Sequence, residues 1–206
     1  MKRKIIAFTL LLCLLTLSGC YPGGATYADE LDVVYTVYDK GGDFPSKKTY
    51  AIPDKVVKIT KDYINGGDLE FVSDLYAIPI LDNINANMKA YGWEKVADED
   101  DPDVVFLPAA WETKYVYYWG DYWCWVNPYY CGGWGYPYPI RTSYTTGTLF
   151  MNIVDLKPGD SREKSALWTG AVNGLLSNSI DFKRIKTTID QSFKQSPYLN
   201  INSLNN

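Results

Sequence analysis

The chain has 206 residues, with 20 Lys and Arg against 24 Asp and Glu, and it contains no His. This length suits one domain with a sizeable core. The absence of His excludes Ser-His and Cys-His catalysis. The acidic balance argues against a nucleic-acid partner, because neutralising phosphates requires clustered Lys and Arg. No cofactor is expected.

A secretory leader is predicted over residues 1–19. Three basic residues at positions 2–4 are followed by a nearly continuous apolar run from Ile5 to Leu17, and small residues precede Cys20. This order is typical of a bacterial signal peptide, and the apolar run is too short to be a permanent membrane span. The alternatives are an ordinary secretory signal with a chance cysteine, or a short buried helix.

The leader ends in Leu17-Ser18-Gly19-Cys20 and resembles the lipobox of bacterial lipoproteins, in which the cysteine receives a diacylglycerol and becomes the N-terminus. The resemblance implies lipidation at Cys20 and a lasting membrane anchor, because two or three acyl chains hold a protein far longer than one. Residues 20–30 would then form a lipidated tether. The 187 residues that start at Cys20 carry 17 basic and 24 acidic side chains, a net charge of about −7. The neutral Tyr21 resembles the pattern sent to the outer membrane, on its periplasmic or surface face.

Extended segments are predicted where β-branched and aromatic residues cluster between turn residues. Three short ones lie at 33–38, 48–52 and 56–60. A longer strand begins at Val104, with Pro108 as a break or an edge position. Both alternating sets of side chains in Thr146–Asp155 are mainly apolar, which predicts a central strand. Ala166–Val172 is predicted to be its antiparallel partner.

Two helices are predicted. In the first, Leu81, Ile84, Met88 and Tyr91 recur at helical spacing, and Gly92 is placed for a left-handed cap with Trp93 packing back on the helix. This helix begins at Pro79 or, alternatively, near Val72 with Pro79 inside it.

The second helix is predicted from Asp181 to Gln195, and Pro197 ends it. Its predicted buried face consists of Phe182, Ile185, Ile189 and Phe193. Strands that pair in antiparallel fashion, with only two helices to cover them, predict an α+β fold: a two-layer antiparallel sheet with helices packed on one face. A single domain over residues 31–200 is expected.

The order of these signals resembles the DUF4136 lipoproteins, bacterial envelope proteins whose biochemical role is unassigned. The matching segments are Val34–Tyr38, Asn87–Gly92, Asp101–Val105, Thr145–Leu149, Val154-Asp155, Leu167–Gly170, Ile189–Phe193 and Ser196–Tyr198. The resemblance covers nearly the whole chain after Cys20, and with its aromatic insert the chain is most similar to members from Bacteroidetes-type bacteria. It implies a fold and an envelope location, and it brings no catalytic residues.

An aromatic-rich insert at 115–140 is the most unusual stretch of the chain. Between Tyr115 and Tyr138, 12 of 24 side chains are aromatic, and so long an irregular stretch is typical of a functional or a disordered segment. Self-packing over the end of the sheet, a surface that binds glycan or an envelope protein, and membrane contact all remain open. The candidate binding residues are Trp119, Tyr122, Trp123, Trp125, Tyr129, Trp134 and Tyr136.

Within this insert, Cys124 and Cys131 are the two thiols left after Cys13 leaves with the leader and Cys20 is lipidated. A pair in an exported protein favours a disulfide across the short loop. A reduced pair or a metal site is the alternative, but no His and no further Cys complete a thiolate set, so no metal is expected.

A catalytic role is not favoured. General acid–base catalysis by paired carboxylates is the remaining catalytic alternative, and Glu112 and Asp121 are the acidic residues near the insert. The predicted function is therefore a lipid-anchored, non-catalytic binding or structural module of the cell envelope, with a carboxylate-dependent glycan hydrolase as the alternative. The oligomeric state is not predicted.

Overall fold

The computed structural model describes residues 34–64, 66–111, 147–155, 166–176 and 181–204, which belong to one compact unit, Asp32–Asn206. The strands are β1 (Val34–Tyr38), β2 (Thr49–Ala51), β3 (Val57–Ile59), β4 (Glu70–Phe71), β5 (Glu94–Lys95), β6 (Val104–Trp111), β7 (Thr148–Asp155) and β8 (Ala166–Val172). The helices are α1 (Lys61–Ile64), α2 (Asp74–Ala90), α3 (Phe182–Lys194) and α4 (Ile201–Leu204), with short 3₁₀ turns at Asp98–Asp100 and Pro197–Leu199.

The strands form one open sheet in the order β1-β8-β7-β6-β2-β5, and β3 joins β6 beside β2 and pairs with β4. The pairings β1–β8, β8–β7, β7–β6 and β3–β4 are antiparallel, which confirms the predicted α+β class. Three short pairings, β2–β6, β3–β6 and β2–β5, are parallel. Hairpin patterns in the sequence could not indicate them, because these partners are far apart in the chain.

Pro108 lies within a central strand, which corrects its predicted place at a break or an edge. It is paired with Met151 of β7 in the middle of β6. On the other side of β6, β2 pairs as far as Val105 and β3 pairs from Ala109 onward. Pro108 therefore lies opposite the interruption between two short strands, where a missing N–H costs no ladder hydrogen bond.

The three middle strands β6, β7 and β8 are buried along their whole length. One face of the sheet, here called the helix face, packs against α2 and α3 through Phe106, Met151 and Trp168. The other, here called the second face, presents a separate apolar cluster that includes Leu107 and Phe150, against which the half-buried Tyr63 and Leu69 pack. Burial on both faces explains why both alternating sets of side chains in β7 are mainly apolar.

Helix α2 begins after Ser73, so Pro79 lies inside it, as the earlier of the two predicted starts requires. The buried face includes Ile80, Ile84 and Met88. Gly92 has a left-handed φ of 93°, and the backbone N–H of Trp93 donates to Met88 at 3.0 Å. The predicted cap is therefore confirmed, since glycine tolerates this conformation without strain.

Helix α3 begins after Asp181, whose side chain accepts a hydrogen bond from the backbone N–H of Lys183 at 2.9 Å. Ile185, Ile189 and Phe193 are buried as predicted. The prediction for Phe182 is wrong, because this side chain is 49% exposed. Phe182 lies on the same side of α3 as Ile185 and Ile189, but it is the first residue of the helix. At that position the side chain lies at the end of the sheet and stays exposed.

Helices α2 and α3 run parallel on the sheet. Near their starts the rings of Tyr76 and Phe182 lie 6.3 Å apart, and near their ends the rings of Tyr91 and Phe193 lie 5.5 Å apart. Between these pairs, Asn87 donates to the Asp190 carboxylate at 2.8 Å. The N-terminal turns of both helices therefore lie at the same end of the domain. In the part of the chain that is described, no helix is long and apolar enough to span a bilayer.

Candidate functional site

The residues singled out as the site lie outside the described part of the chain. They are the lipidation candidate Cys20, the seven aromatic residues of the insert from Trp119 to Tyr136, the thiols Cys124 and Cys131, and the carboxylates Glu112 and Asp121. Their proposed roles stay predictions. The structure does define the scaffold from which the insert starts.

The residues that flank the segment containing the insert, Trp111 and Gly147, meet at one end of the sheet. The backbone N–H of Gly147 donates to the carbonyl of Trp111, and Trp111 pairs with Thr148 in the antiparallel β6–β7 ladder. Residues 112–146 therefore connect two adjacent strands of the same sheet. A strand pair is a rigid platform, so both attachment points of the insert are fixed relative to the core.

The return of the chain at Gly147 is held by the turn that follows β8. Gly147 has a φ of 84°, a left-handed conformation that favours glycine, and its carbonyl accepts from the Leu176 backbone N–H at 2.8 Å. The next residue, Thr148, donates from its hydroxyl to Asn173 at 3.0 Å. The point where the insert rejoins the sheet is thereby linked to the exit from β8.

We call this end of the domain the insert end; it comprises Trp111, Gly147, the exit from β8 at Val172, and the first turns of α2 and α3. The described chain also enters here, because Val34 pairs with Val172. The opposite end, the acidic end, contains the start of β6, Asp155 and the acidic run Asp98–Asp103. Eight-residue strands separate the two ends by about 26 Å.

Exposed large apolar side chains in the described ranges concentrate at the insert end. The helix-face side of this end carries Leu75 at 61%, Ile78 at 55% and Phe182 at 49% exposure. At the two edges of the second face, Tyr35 and Phe71 are 42% and 38% exposed. Scattered exposed apolar residues are ordinary, but their confinement to one end of a domain indicates a contact surface.

Tyr35 and Phe71 are the two ends of one row of apolar side chains. The register places in line across the second face Tyr35, Ala171, Phe150, Ala109, Val57 and Phe71. The four central residues are at most 1% exposed. At one end of the row, the ammonium of Lys55 lies 4.9 Å from the ring centroid of Phe71, a cation–π distance.

The polar groups of the acidic end stabilise the fold. One oxygen of Asp103 accepts from the Lys48 and Thr49 backbone N–H groups at 2.9 and 3.0 Å. The ammonium of Lys47 lies 3.0 Å from the Asp155 carboxylate, and both side chains are nearly buried. These carboxylates join the β2 region to β6 and β7, as satisfied buried polar groups do.

Burial raises the pKa of the core residue Tyr50 and of two half-buried tyrosines that pack against the core. The pKa of Tyr50 rises to about 12, and its hydroxyl donates to Asn85 at 2.9 Å. The pKa of Tyr91 is also raised by burial, and its hydroxyl donates to the Phe193 carbonyl. For Tyr198, burial raises the pKa more than its hydrogen bond to Ser196 lowers it. These hydroxyls are neutral donors near pH 7 and are suited to packing, not to acting as bases.

The described ranges contain no group of three or more His, Cys, Asp or Glu side chains that could hold a metal ion. On the described surface, exposed large apolar side chains concentrate at the insert end. The charged groups Asp103, Lys47 and Asp155 join strands and stabilise the fold. Sequence reasoning missed Leu75 and Ile78 as part of this surface. A signal was present, because at helical spacing both fall on the side opposite Ile80 and Ile84.

A family model described as a domain of unknown function, DUF4136, matches residues 34–198. The chain belongs to the DUF4136 family. This confirms the predicted resemblance, and the match starts at β1 and ends in the 3₁₀ turn after α3. The family carries no assigned activity. No curated protein matches the chain.

Among solved structures, a DUF4136 family protein from Bacteroides thetaiotaomicron is similar to this chain, with 28% identity and a TM-score of 0.66 over 82% of this chain and 98% of that one. A PelC dodecamer from Paraburkholderia phytofirmans shows 10% identity and a TM-score of 0.42, over 82% and 99% of the two chains. A PDZ domain protein from Parabacteroides distasonis shows 15% identity and a TM-score of 0.44, over 81% of this chain and 36% of that one. The last two likenesses are too weak to inform on function.

Proposed function

We propose that this DUF4136 protein is a lipid-anchored bacterial cell-envelope lipoprotein, held at the outer membrane through Cys20, and that it acts as a non-catalytic binding or structural module. The observation that carries this proposal is the leader: three basic residues, an apolar run, and Leu17-Ser18-Gly19-Cys20 in the correct order. Each part alone is common, but their combination is typical of a lipoprotein signal.

The binding part of the proposal rests on where the insert is attached. The segment that contains the insert, residues 112–146, is flanked by Trp111 and Gly147 at the end of a buried central strand pair. Segments displayed from such a scaffold commonly carry binding functions. Aromatic side chains combine a flat apolar face with a polar tip, which suits stacking on sugar rings or gripping a protein. A glycan or an envelope protein is therefore the proposed partner.

The anchor is tested by expressing the full chain in a bacterium that processes lipoproteins. Mass spectrometry of the N-terminal peptide should show a diacylglyceryl cysteine at residue 20, and the protein should sediment with membranes. The Cys20→Ser variant should lose the lipid mass. A wild-type chain with an unmodified N-terminus that diffuses freely would contradict the anchor.

The binding surface is tested with the lipidated protein on a glycan array and in a pull-down from envelope extract. Changing Trp119, Trp123, Trp125 and Trp134 together to Ala should abolish capture of a partner while thermal stability is kept. A matched control changes four other aromatic residues of the insert to Ala: Tyr115, Tyr117, Tyr118 and Tyr138. Unchanged binding with lower thermal stability would instead favour self-packing of the insert.

The same preparation tests the alternative of a carboxylate-dependent glycan hydrolase. Incubation with cell-wall and polysaccharide substrates should release no soluble sugar. Release that disappears in a Glu112→Gln and Asp121→Asn double variant would contradict the non-catalytic proposal. It would leave the lipid anchor intact, because the anchor is measured separately.

A further inference from the structure

We propose that the insert end of the domain docks onto the surface of a phospholipid bilayer, with Leu75, Ile78 and Phe182 entering the headgroup layer. This inference rests on the proposed anchor at Cys20 and adds an orientation to it. It concerns described side chains of the fold.

The first argument is the distribution of apolar surface. Leu75 and Ile78 lie in the first two turns of α2, and Phe182 opens the parallel helix α3. Tyr76 bridges the helices, with its ring 6.3 Å from that of Phe182. Removing exposed apolar surface from water is favourable in proportion to its area, so a bilayer interface stabilises this end more than any charged face of the domain.

The second argument is the point where the tether enters the fold. Only residues 21–33 separate Cys20 from Val34, and Val34 lies at the insert end through its pairing with Val172. This stretch of 13 residues spans at most about 45 Å when fully extended. A lipid at Cys20 is therefore joined covalently to the domain at its insert end, whereas the acidic end lies about 26 Å further along the eight-residue strands.

The third argument is charge. The insert end carries both signs, with Asp74 and Asp181 at the starts of α2 and α3 and Lys183 and Arg184 in the first turn of α3. The acidic run Asp98–Asp103 at the other end contains five carboxylates and no basic residue. Membranes that contain anionic lipids repel carboxylates. Docking by the insert end places the acidic run about 26 Å away, roughly three Debye lengths at physiological salt.

The test uses lipidated full chain reconstituted in vesicles of phosphatidylethanolamine and phosphatidylglycerol. The vesicles contain a phospholipid with a photoreactive diazirine close to the headgroup. After illumination, mass spectrometry should find lipid adducts in peptides covering 71–82 and 181–186, and none in peptides covering 94–103.

A Leu75→Asp and Phe182→Asp double variant should reduce adducts at both peptides severalfold, because charges there resist entry into the interface. Ala86→Asp is the matched control. Ala86 is exposed on the same outward side of α2, and it lies about 16 Å further from the insert end than Leu75. Its adduct pattern should equal that of the wild type. Thermal unfolding shows that all three proteins are folded.

The outcomes separate the two proposals because the mass of the N-terminal peptide reports lipidation independently. A lipidated protein labelled at 94–103, labelled equally at both ends, or labelled unchanged in the double variant overturns the docking orientation and leaves the anchor standing. Absence of lipid adducts from both peptides of the lipidated protein also overturns it. An unlipidated Cys20 removes both.

Discussion

Asp103 and Thr49 bind each other reciprocally across 54 residues of sequence. The Thr49 hydroxyl donates to one carboxylate oxygen of Asp103 at 3.0 Å, and the oxygen of that hydroxyl accepts the Asp103 backbone N–H at 2.9 Å. The same carboxylate oxygen accepts two backbone N–H groups at the start of β2. This cluster fixes the parallel pairing of β2 with β6.

The first prediction concerns this cluster. Asp103→Ala should lower the free energy of unfolding by about 2 kcal/mol, because several donors lose their acceptor. Thr49→Val, which keeps the shape, should cost about 1 kcal/mol. Urea unfolding of both single variants and the double variant measures the coupling, and the double variant should lose less than the sum. Glu99→Gln, an exposed carboxylate change nearby, is the control; a similar loss there would contradict the role of Asp103.

The second prediction concerns the nearly buried ion pair of Lys47 and Asp155, in which both side chains are 11% exposed. Lys47→Met should destabilise the fold by about 3 kcal/mol, since it leaves a carboxylate at low exposure without its ammonium partner. Adding Asp155→Leu should recover part of that loss, because no charge then remains buried. Thermal unfolding of the two variants checks this order. A double variant less stable than Lys47→Met would contradict it.

The third prediction concerns Ser196, which is fully buried and accepts the Trp168 indole N–H at 2.9 Å. Ser196→Ala should cost about 1–3 kcal/mol, because it removes the oxygen that accepts this buried donor and the Tyr198 hydroxyl. Chemical unfolding followed by tryptophan fluorescence is the measurement. Ser73→Ala is the matched control: Ser73 is exposed at the start of α2, and its side chain makes no capping hydrogen bond. Equal losses in the two variants would contradict this account.

The fourth prediction concerns alkaline pH. Burial raises the pKa of Tyr50 from 10.0 to about 12. A group whose pKa is higher in the folded state contributes stability that is complete below pH 10 and is lost as pH rises toward 12. The loss should reach about 2 kcal/mol, somewhat less than the full two-unit shift, because the hydroxyl bonds the half-buried Asn85.

Comparison of wild type and Tyr50→Phe between pH 9 and pH 12 isolates this effect. The variant should be less stable by about 1 kcal/mol at pH 9, because it lacks the hydrogen bond to Asn85. The two unfolding free energies should then converge and cross as pH rises, because the loss of about 2 kcal/mol in the wild type exceeds its initial advantage of about 1 kcal/mol. Parallel curves across that range would show that Tyr50 does not titrate as its burial requires.

The positions of most strands and helices could be predicted from the sequence. The mainly apolar character of both alternating sets of side chains in Thr146–Asp155 indicated a central strand, and the spacing of Ile84 and Met88 indicated a buried helix face. These features are local, because side-chain periodicity is set by the backbone geometry of each segment. The order of such segments was also enough to indicate the family. The leader and the aromatic insert are likewise sequence features, and their roles stay predictions.

Only the tertiary structure decided which of these segments meet. Lys47 and Asp155 are 108 positions apart, and no local pattern pairs them. Phe182 continues an apolar stripe in sequence, yet it is exposed because its turn lies at the end of the sheet. The entry of the chain, both ends of the insert and the exposed apolar side chains gather at one end through strand register and the parallel packing of two helices. Sequence periodicity fixes which side of an element is apolar, whereas only the packed sheet fixes what lies opposite that side.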